Sequence, residues 1–458
     1  MTADALSPDA AAALASAVGD DGLLLDAADR WSYGYDNSRK QSLPAAVVLP
    51  RDAEAVRSAV QVCRRYALKV VPRGRGTGTA GATVPPPGSV VVSTERLARI
   101  LELDPANRLA VVQPGVTNGA LQEAAGAAGF FWPPDPGSAD YSTIGGNLAC
   151  NAAGPRAVKY GTPRDNTLGL QVVTGAGQLL RTGCYTTKGV VGLDLTRLLI
   201  GSEGTLGIIT EATLRLTPLP ERVATLRALY RDVHAAAAAV SRIMAQPVVP
   251  RALEFADGAA LALLRAAGVG DLPEDAGALL MIEADGLAEQ LPAAVRALAQ
   301  AAAGDGLVEC RAAADDREAA ALWAARKALS PALRSIAPVK INEDVVVPVS
   351  AMGALVDGLA RLAERHAVRI VSFGHAGNGN LHVNLMGQPE ERPRLEACLE
   401  GVFRLVLSLR GTLSGEHGIG RDKRPYVELE VGPEALALMR RVKAAFDPDG
   451  IMNPGAAY

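Results

Sequence analysis

Cysteine and histidine are both scarce in this chain of 458 residues, with five of each. Cys63, Cys150, Cys184, Cys310 and Cys398 are scattered without a CxxC pair, which excludes an iron–sulfur ligand run, and their odd number fits a reduced compartment. No apolar run approaches the roughly 20 residues that a membrane helix needs, so no membrane span is expected. A basic surplus is missing too. Lys and Arg number 46 against 49 Asp and Glu, a net charge of −3, which argues against a nucleic-acid-binding surface. The N-terminal MTADALSPDAAAALASAVGDDG lacks the basic start of a secretory signal and the Arg richness of a transit peptide, so a cytoplasmic location is expected.

Three of the five histidines lie in two short glycine-flanked segments, FGHAGNGNLH (373–382) and SGEHGIG (414–420). Gly377 and Gly379 turn the chain between His375 and His382, so that both imidazoles can face one point, and Glu416 can add a carboxylate. Two His and one carboxylate suit a divalent metal with open positions. His417, next to Glu416, is then placed to move a proton. The alternative is ordinary loop histidines bonded to backbone groups.

Length implies two or three domains. AAVVLP, then AEAVRSAVQVCRRYAL, then KVVPR read as strand, helix, strand. The run continues into RGRGTGTAG, where Gly76, Gly78 and Gly81 have GxGxxG spacing. A dinucleotide fingerprint must open a helix, and here Pro85, Pro86, Pro87 and the strand SVVVS follow instead. What remains is either a nest of backbone amides for a pyrophosphate or a plain turn. From Arg108 to Leu216 short strands and glycine loops dominate and helical pattern is sparse, with 133–154 and 201–210 read as loops suited to a flat polar ligand such as a flavin. Beyond Pro220, HAAAAAVSRIMA, GAALALLRAAG and EQLPAAVRALAQAAA read as Ala-rich helices, with ALLMIEAD and VRIVSF as strands; EALALMRRVKAAFD then reads as a terminal helix.

RGRGTGTAG, PPDPGS, STIGGNLACNAAG, YGTPRDN, GSEGTLGIIT, GHAGNGNLH, GEHGIGRDK and FDPDGIMNPG together resemble the FAD-linked D-2-hydroxyacid dehydrogenases, the branch of D-lactate, D-2-hydroxyglutarate and glycolate dehydrogenases. That branch belongs to the vanillyl-alcohol oxidase/p-cresol methylhydroxylase flavoproteins. The resemblance implies an α+β fold with a two-subdomain FAD-binding domain (1–218), an inserted α+β substrate or cap domain (219–410) and a C-terminal return segment (411–458). It places Pro72, Arg73, Gly74, Arg75, Gly76, Thr77, Gly78, Thr79 and Gly81 at the pyrophosphate. Pro136, Gly137, Ser138, Thr143, Ile144, Gly145, Asn147, Leu148, Gly204, Gly207, Ile208 and Ile209 would line the rest of the cofactor, and Asn453 would close the pocket. Relatives often bind FAD through a histidine of the pyrophosphate loop. With none before His234 here, non-covalent FAD is expected.

The same resemblance makes His375, His382 and Glu416 ligands of Zn²⁺ or Mn²⁺ and His417 the general base. Arg326, Ser330 and Lys340 become substrate-carboxylate anchors, and Asn384, two residues beyond His382 on one strand face, either bonds the substrate or orients a ligand. Arg39, Lys159 and Arg421 are candidates for a second carboxylate, and Asp344 either orients Lys340 or faces solvent. The implied reaction oxidises a D-2-hydroxyacid, D-2-hydroxyglutarate or D-lactate, and passes electrons to a quinone, an electron-transfer flavoprotein or a separate iron–sulfur subunit, from a homodimer. Alternatives are the flavin subunit of a glycolate oxidase-type complex and an alkylglycerone-phosphate synthase-like transferase.

Overall fold

The computed structural model describes residues 6–268, 272–333 and 336–458. They divide into two units, one of 1–153, 161–219 and 416–458, the other of 154–160 and 220–415.

The first unit begins with a four-stranded sheet in which Ala46–Val48 and Val70–Arg73 both run parallel to Val90–Ser93, with Leu23–Leu24 antiparallel at one edge. Period-two alternation sends Ala46, Val48, Val70, Val90 and Val92 to one face and Val47, Val71 and Val91 to the other. The helix Ala53–Arg65 is started by Asp52, whose carboxylate accepts from the Ala55 amide at 2.8 Å. Its buried residues Val56, Ala59, Val60 and Cys63 recur at helical spacing and close the first of these cores.

A second, antiparallel sheet follows in the order Ile100–Asp104, Leu109–Val112, Gly207–Arg215, Thr167–Thr174, Leu179–Gly183. Helices here are less sparse than the sequence led us to expect. Asn118–Ala127 and Ile144–Cys150 are both helical, the second inside the expected 133–154 loop. The cause is capping: Thr117 and Thr143 each accept a first-turn amide through their hydroxyls. The chain returns to this unit after residue 415, in the helix Pro433–Phe446. There Met452 bridges Val70, and Lys443 donates to the carbonyls of Thr205 and Met452.

The second unit is a seven-stranded antiparallel sheet ordered Leu307–Ala312, Arg222–Tyr230, Ala278–Gly286, Ala252–Asp257, Arg369–His375, Asn380–Gly387, Val339–Val346. On one face Leu229, Ala256 and Phe373 pack with Leu261 and Leu264 of the helix Gly258–Ala266 and Leu329 of the helix Asp316–Ala332. Tyr230, one residue out of phase with Leu229, points the other way and donates to the Ala302 carbonyl of the helix Leu291–Ala302. The expected domain limits shift. Residues 154–160 join this unit because Lys159 and Tyr160 both bind the Asp285 carboxylate. Its end moves from 410 to 415 because Thr412 bridges Val346 and the Gly415 amide bonds Asp344.

Candidate functional site

In the first unit, the strand Val70–Arg73 runs out into a loop without a helix, as the prolines require. The carbonyls of Thr77 and Gly78 are tied to Asn37, through its side chain at 3.1 Å and its amide at 2.9 Å. Among the described residues no hydrogen bond uses the N–H of Arg75, Gly76, Thr77, Gly78 or Thr79. Held by its carbonyls, the loop leaves a run of main-chain donors uncommitted, and such a run can bind a pyrophosphate. Arg73 serves the loop from below: its buried guanidinium donates to the carbonyls of Tyr35 (2.8 Å) and Ser32 (3.1 Å).

Two glycines bring the other expected segments to this loop. A Cβ on Gly74 would lie 2.5 Å from the Thr143 hydroxyl, and one on Gly204, whose φ is +71°, would lie 2.8 Å from Pro72. Pro136, Gly137 and Ser138 form a turn whose Pro136 and Ser138 carbonyls accept from Ala139, Tyr141 and Ser142. Several of the residues expected at the cofactor also pack in the core or pair in the sheet. Ile144, Leu148 and Ile208 are buried among apolar neighbours, and Gly207 and Ile209 belong to a ladder with Thr174 and Val172. The buried Asn147 donates to Ser142 and accepts from Asn118. The amides of Ile144 and Gly145 already bond the carbonyls of Val116 and Pro114, so this helix start offers little to an anion.

Asn453 knots the chain end to these loops, donating to the carbonyls of Val70 and Glu203 at 2.7 Å each and accepting from Arg421 at 2.8 Å. Arg421 also donates to the carbonyls of Gly81 and Ala82, so it is a loop anchor and leaves the set of second-carboxylate candidates. Glu203 was missed by the sequence reasoning. Buried, it accepts from the amides of Ile419 (2.6 Å) and Gly420 (2.7 Å), just beyond His417. Burial pushes its pKa up, and the two amide bonds oppose that. A lone acid inside the glycine motif GSEGTLG was the available signal.

In the second unit, the hairpin pairs His375 with Asn380 and Phe373 with His382. This puts both histidines diagonally on one sheet face, their rings 5.2 Å apart and nearly perpendicular. Glu254, opposite His375 on the next strand, was also missed. It is a charged residue in the middle of the strand ALEFAD. One of its oxygens contacts His375 Nδ1 at 2.6 Å and the other accepts from Arg326 Nε at 2.8 Å. Burial alone would raise the Glu254 pKa, but His375 and Arg326 outweigh it and hold the carboxyl below its usual range. A carboxylate accepting from Nδ1–H leaves the imidazole lone pair on Nε2, as metal-binding histidines require.

Arg326 lies with its guanidinium carbon 4.8 Å from the centre of the Phe373 ring. Neither of its Nη groups enters a described hydrogen bond, so the planar fork remains for a carboxylate. Ser330 is one helical turn further on and accepts from Lys340 Nζ at 3.4 Å, so the three expected anchors share one region. Lys159 is committed to Asp285, whereas Arg39 is exposed.

Asn384 and Asp344 are both committed within the fold. Asn384 is wholly buried and its Nδ2 donates to the carbonyls of Val371 and His382, which leaves only Oδ1 for any ligand. Asp344 does not face solvent. It is buried, accepts from Asn380 (2.7 Å), Ser414 (3.2 Å) and the Gly415 amide (2.9 Å), and lies 3.7 Å from His382 Nδ1. Asp344 and His382 both carry atoms of the kind that bind a metal ion. Glu416 and His417 are the next two residues after Gly415, at about 3.8 Å of chain per Cα step.

Most of the chain is similar to known FAD-linked proteins. Residues 44–183 match the FAD binding domain, and residues 219–457 match the FAD linked oxidases, C-terminal domain. The chain is 40% identical over 435 residues to the glycolate oxidase subunit GlcD of Bacillus subtilis, covering 94% of this chain and 93% of that one. It is 34% identical to a D-2-hydroxyglutarate dehydrogenase of Stutzerimonas stutzeri (95% and 96% covered) and 34% identical to a D-lactate dehydrogenase of Anaerostipes hadrus (90% and 89% covered). In fold it is similar to p-cresol methylhydroxylase, with a TM-score of 0.78 at 17% identity over 98% of this chain and 96% of that one. An alkyldihydroxyacetonephosphate synthase gives 0.75 at 20% identity over 99% and 87%.

Proposed function

Because the chain belongs to the FAD-linked oxidases and is an FAD-linked oxidoreductase of the GlcD, D-lactate and D-2-hydroxyglutarate dehydrogenase type, we propose that it oxidises a D-2-hydroxyacid to the 2-oxoacid. The observation that carries this reading is the chain Arg326–Glu254–His375, with His382 and Asp344 beside it. It joins a guanidinium fork, which fits a carboxylate, to imidazoles, which fit a metal. FAD, held without a covalent bond, supplies the acceptor for the hydride from C2. The uncommitted amides of Arg75 to Thr79 fit its pyrophosphate.

Arg326 grips the substrate carboxylate, and Lys340, steadied by Ser330, adds a second positive charge. His417 takes the hydroxyl proton as the C2–H bond breaks, so that the alcohol carbon becomes a carbonyl. His382 and Glu416, with Asp344 as a carboxylate beside His382, and His375, whose ring lies next to that of His382, would hold Zn²⁺ or Mn²⁺, which would supply Lewis acidity toward the hydroxyl oxygen. Glu254 fixes the tautomer and direction of the His375 ring. Asn384 Oδ1 is its only atom left to meet a substrate, so that residue chiefly secures the strand carrying His382.

A second reading has its own support: 40% identity to a protein named as a glycolate oxidase subunit fits a flavin subunit that passes electrons to a partner chain. Quinone, electron-transfer flavoprotein and iron–sulfur subunit are the acceptor classes for either case. No helix among the described residues is long and apolar enough to cross a membrane.

Anaerobic bleaching of the flavin by a panel of D- and L-2-hydroxyacids, with and without chelator, tests the proposal. Bleaching by D-enantiomers and its loss with chelator are expected. A flavin that no 2-hydroxyacid reduces sinks it.

A further inference from the structure

Glu203 is buried in the first unit with every polar group of the residue engaged. Its N–H donates to the Ala149 carbonyl (2.9 Å) and its own carbonyl accepts from Asn453 (2.7 Å). Its carboxylate oxygens accept from the amides of Ile419 (2.6 Å) and Gly420 (2.7 Å). The backbone here is left-handed, with φ +53°, a region that a residue with a side chain rarely enters unless its surroundings hold it there. The next residue, Gly204, meets Pro72 at the start of the amide loop. One short turn thus touches that loop through Gly204 and the segment following His417 through Glu203.

That segment is shaped to receive an acid. Left-handed glycines on either side of Ile419, Gly418 at φ +81° and Gly420 at φ +55°, let consecutive N–H groups turn to one side, as in the nests that bind anions. The anion here is the chain's own carboxylate, and a Cβ on Gly418 would lie 2.8 Å from its Oε1. Burial raises the Glu203 pKa, and the two amides, with the positive charges of Lys423 and Arg421, oppose it.

We infer that Glu203 is a positioning residue for proton removal: by holding the Ile419 and Gly420 amides, it fixes where His417 stands relative to the flavin loop. The inference rests on the proposed role of His417 as base and adds the residue on which that role depends. Oxidation at C2 takes hydride from carbon to flavin and a proton from the hydroxyl to His417. The base must therefore stay within hydrogen-bond reach while the carbon faces the flavin. Gly418 and Gly420 leave the backbone after His417 free to turn, so it needs an outside hold.

The test is a double-mutant cycle on the holoenzyme. It measures kcat with a dye acceptor for the wild type, Glu203→Gln, His417→Ala and the double variant, using the member of the 2-hydroxyacid panel that bleaches the flavin fastest. Glu203→Gln keeps the length of the side chain but turns an NH₂ toward one main-chain N–H, so one amide bond is lost. In that variant kcat should fall by roughly 10–100-fold, while KM stays within about threefold because the loss falls on the transition state. In the His417→Ala background the same exchange should lower kcat by less than about threefold, since no base is left to misplace. Gly418→Ala, which drives a methyl against the carboxylate, should repeat both results, and it decides if Glu203→Gln does not retain flavin. Multiplicative effects, an unchanged kcat in both variants, or loss of flavin from both overturn the inference and leave the proposed reaction standing. A wild-type kcat in His417→Ala, or failure of every 2-hydroxyacid to bleach the flavin, overturns the reading of His417 as base and this inference with it.

Discussion

Between Arg75 and Thr79 the first unit offers main-chain N–H groups from a loop pinned by its carbonyls, whereas on Glu254, His375 and His382 the second offers ionisable side chains from one sheet face. The two devices differ in what they demand. A loop of amides tolerates many side chains but needs close backbone approach, so it depends on positions such as Gly74 and Gly204. A polar strand face depends on register, because a slip of one residue would turn His375, His382 and Glu254 away together. Substitutions should therefore separate the units by phenotype: flavin is lost from the first, turnover and metal from the second.

The largest effect belongs to His417. Exchange for Ala should lower kcat by roughly 10²–10⁴-fold, measured with a dye acceptor, while flavin absorbance stays as in the wild type. His375→Ala should lose bound metal and most turnover and still retain FAD. Equal flavin loss in that variant would break the separation of the two sites. Next is Glu254→Gln, which leaves the His375 ring without its charged partner. A fall of about 10–100-fold in metal affinity or activity is expected, and wild-type metal content with unchanged turnover would show that Glu254 only fills space. Arg326→Lys keeps the charge but loses the fork, so KM for the 2-hydroxyacid should rise about 10-fold or more with kcat less affected. The smallest effect on chemistry comes from the first unit. Gly74→Ala drives a methyl toward the Thr143 hydroxyl, so the FAD dissociation constant should rise while kcat at saturating FAD is kept. A kcat loss that added FAD does not restore would count against the cradle.

Much of the architecture was legible because its signals are local. The helix Ala53–Arg65 announces itself by the spacing of Val56, Val60 and Cys63 behind the Asp52 cap, and the hairpin Thr167–Gly183 by two β-like runs around Gly175 and Gly177. The histidine pair was legible for a similar reason, since Gly377 and Gly379 sit between two strands that need a tight connection. Helices at 118–127 and 144–150 were harder, because their starts rest on single Thr caps among glycines that weaken any helical pattern.

The sequence by itself determined the family resemblance, the exclusion of a histidyl–flavin bond before His234, and the gathering of chemistry into FGHAGNGNLH and SGEHGIG. Only the tertiary structure decided which residues serve those groups from afar. Glu254 is 121 residues from His375, and Glu203 is 217 from Gly420. Asn384 and Arg73, expected at the ligands, also support backbone carbonyls. The physical reason is common to all four. A motif records residues that must be near each other along the chain, whereas a buried carboxylate, amide or guanidinium finds its partners across strands, where register and burial decide the match.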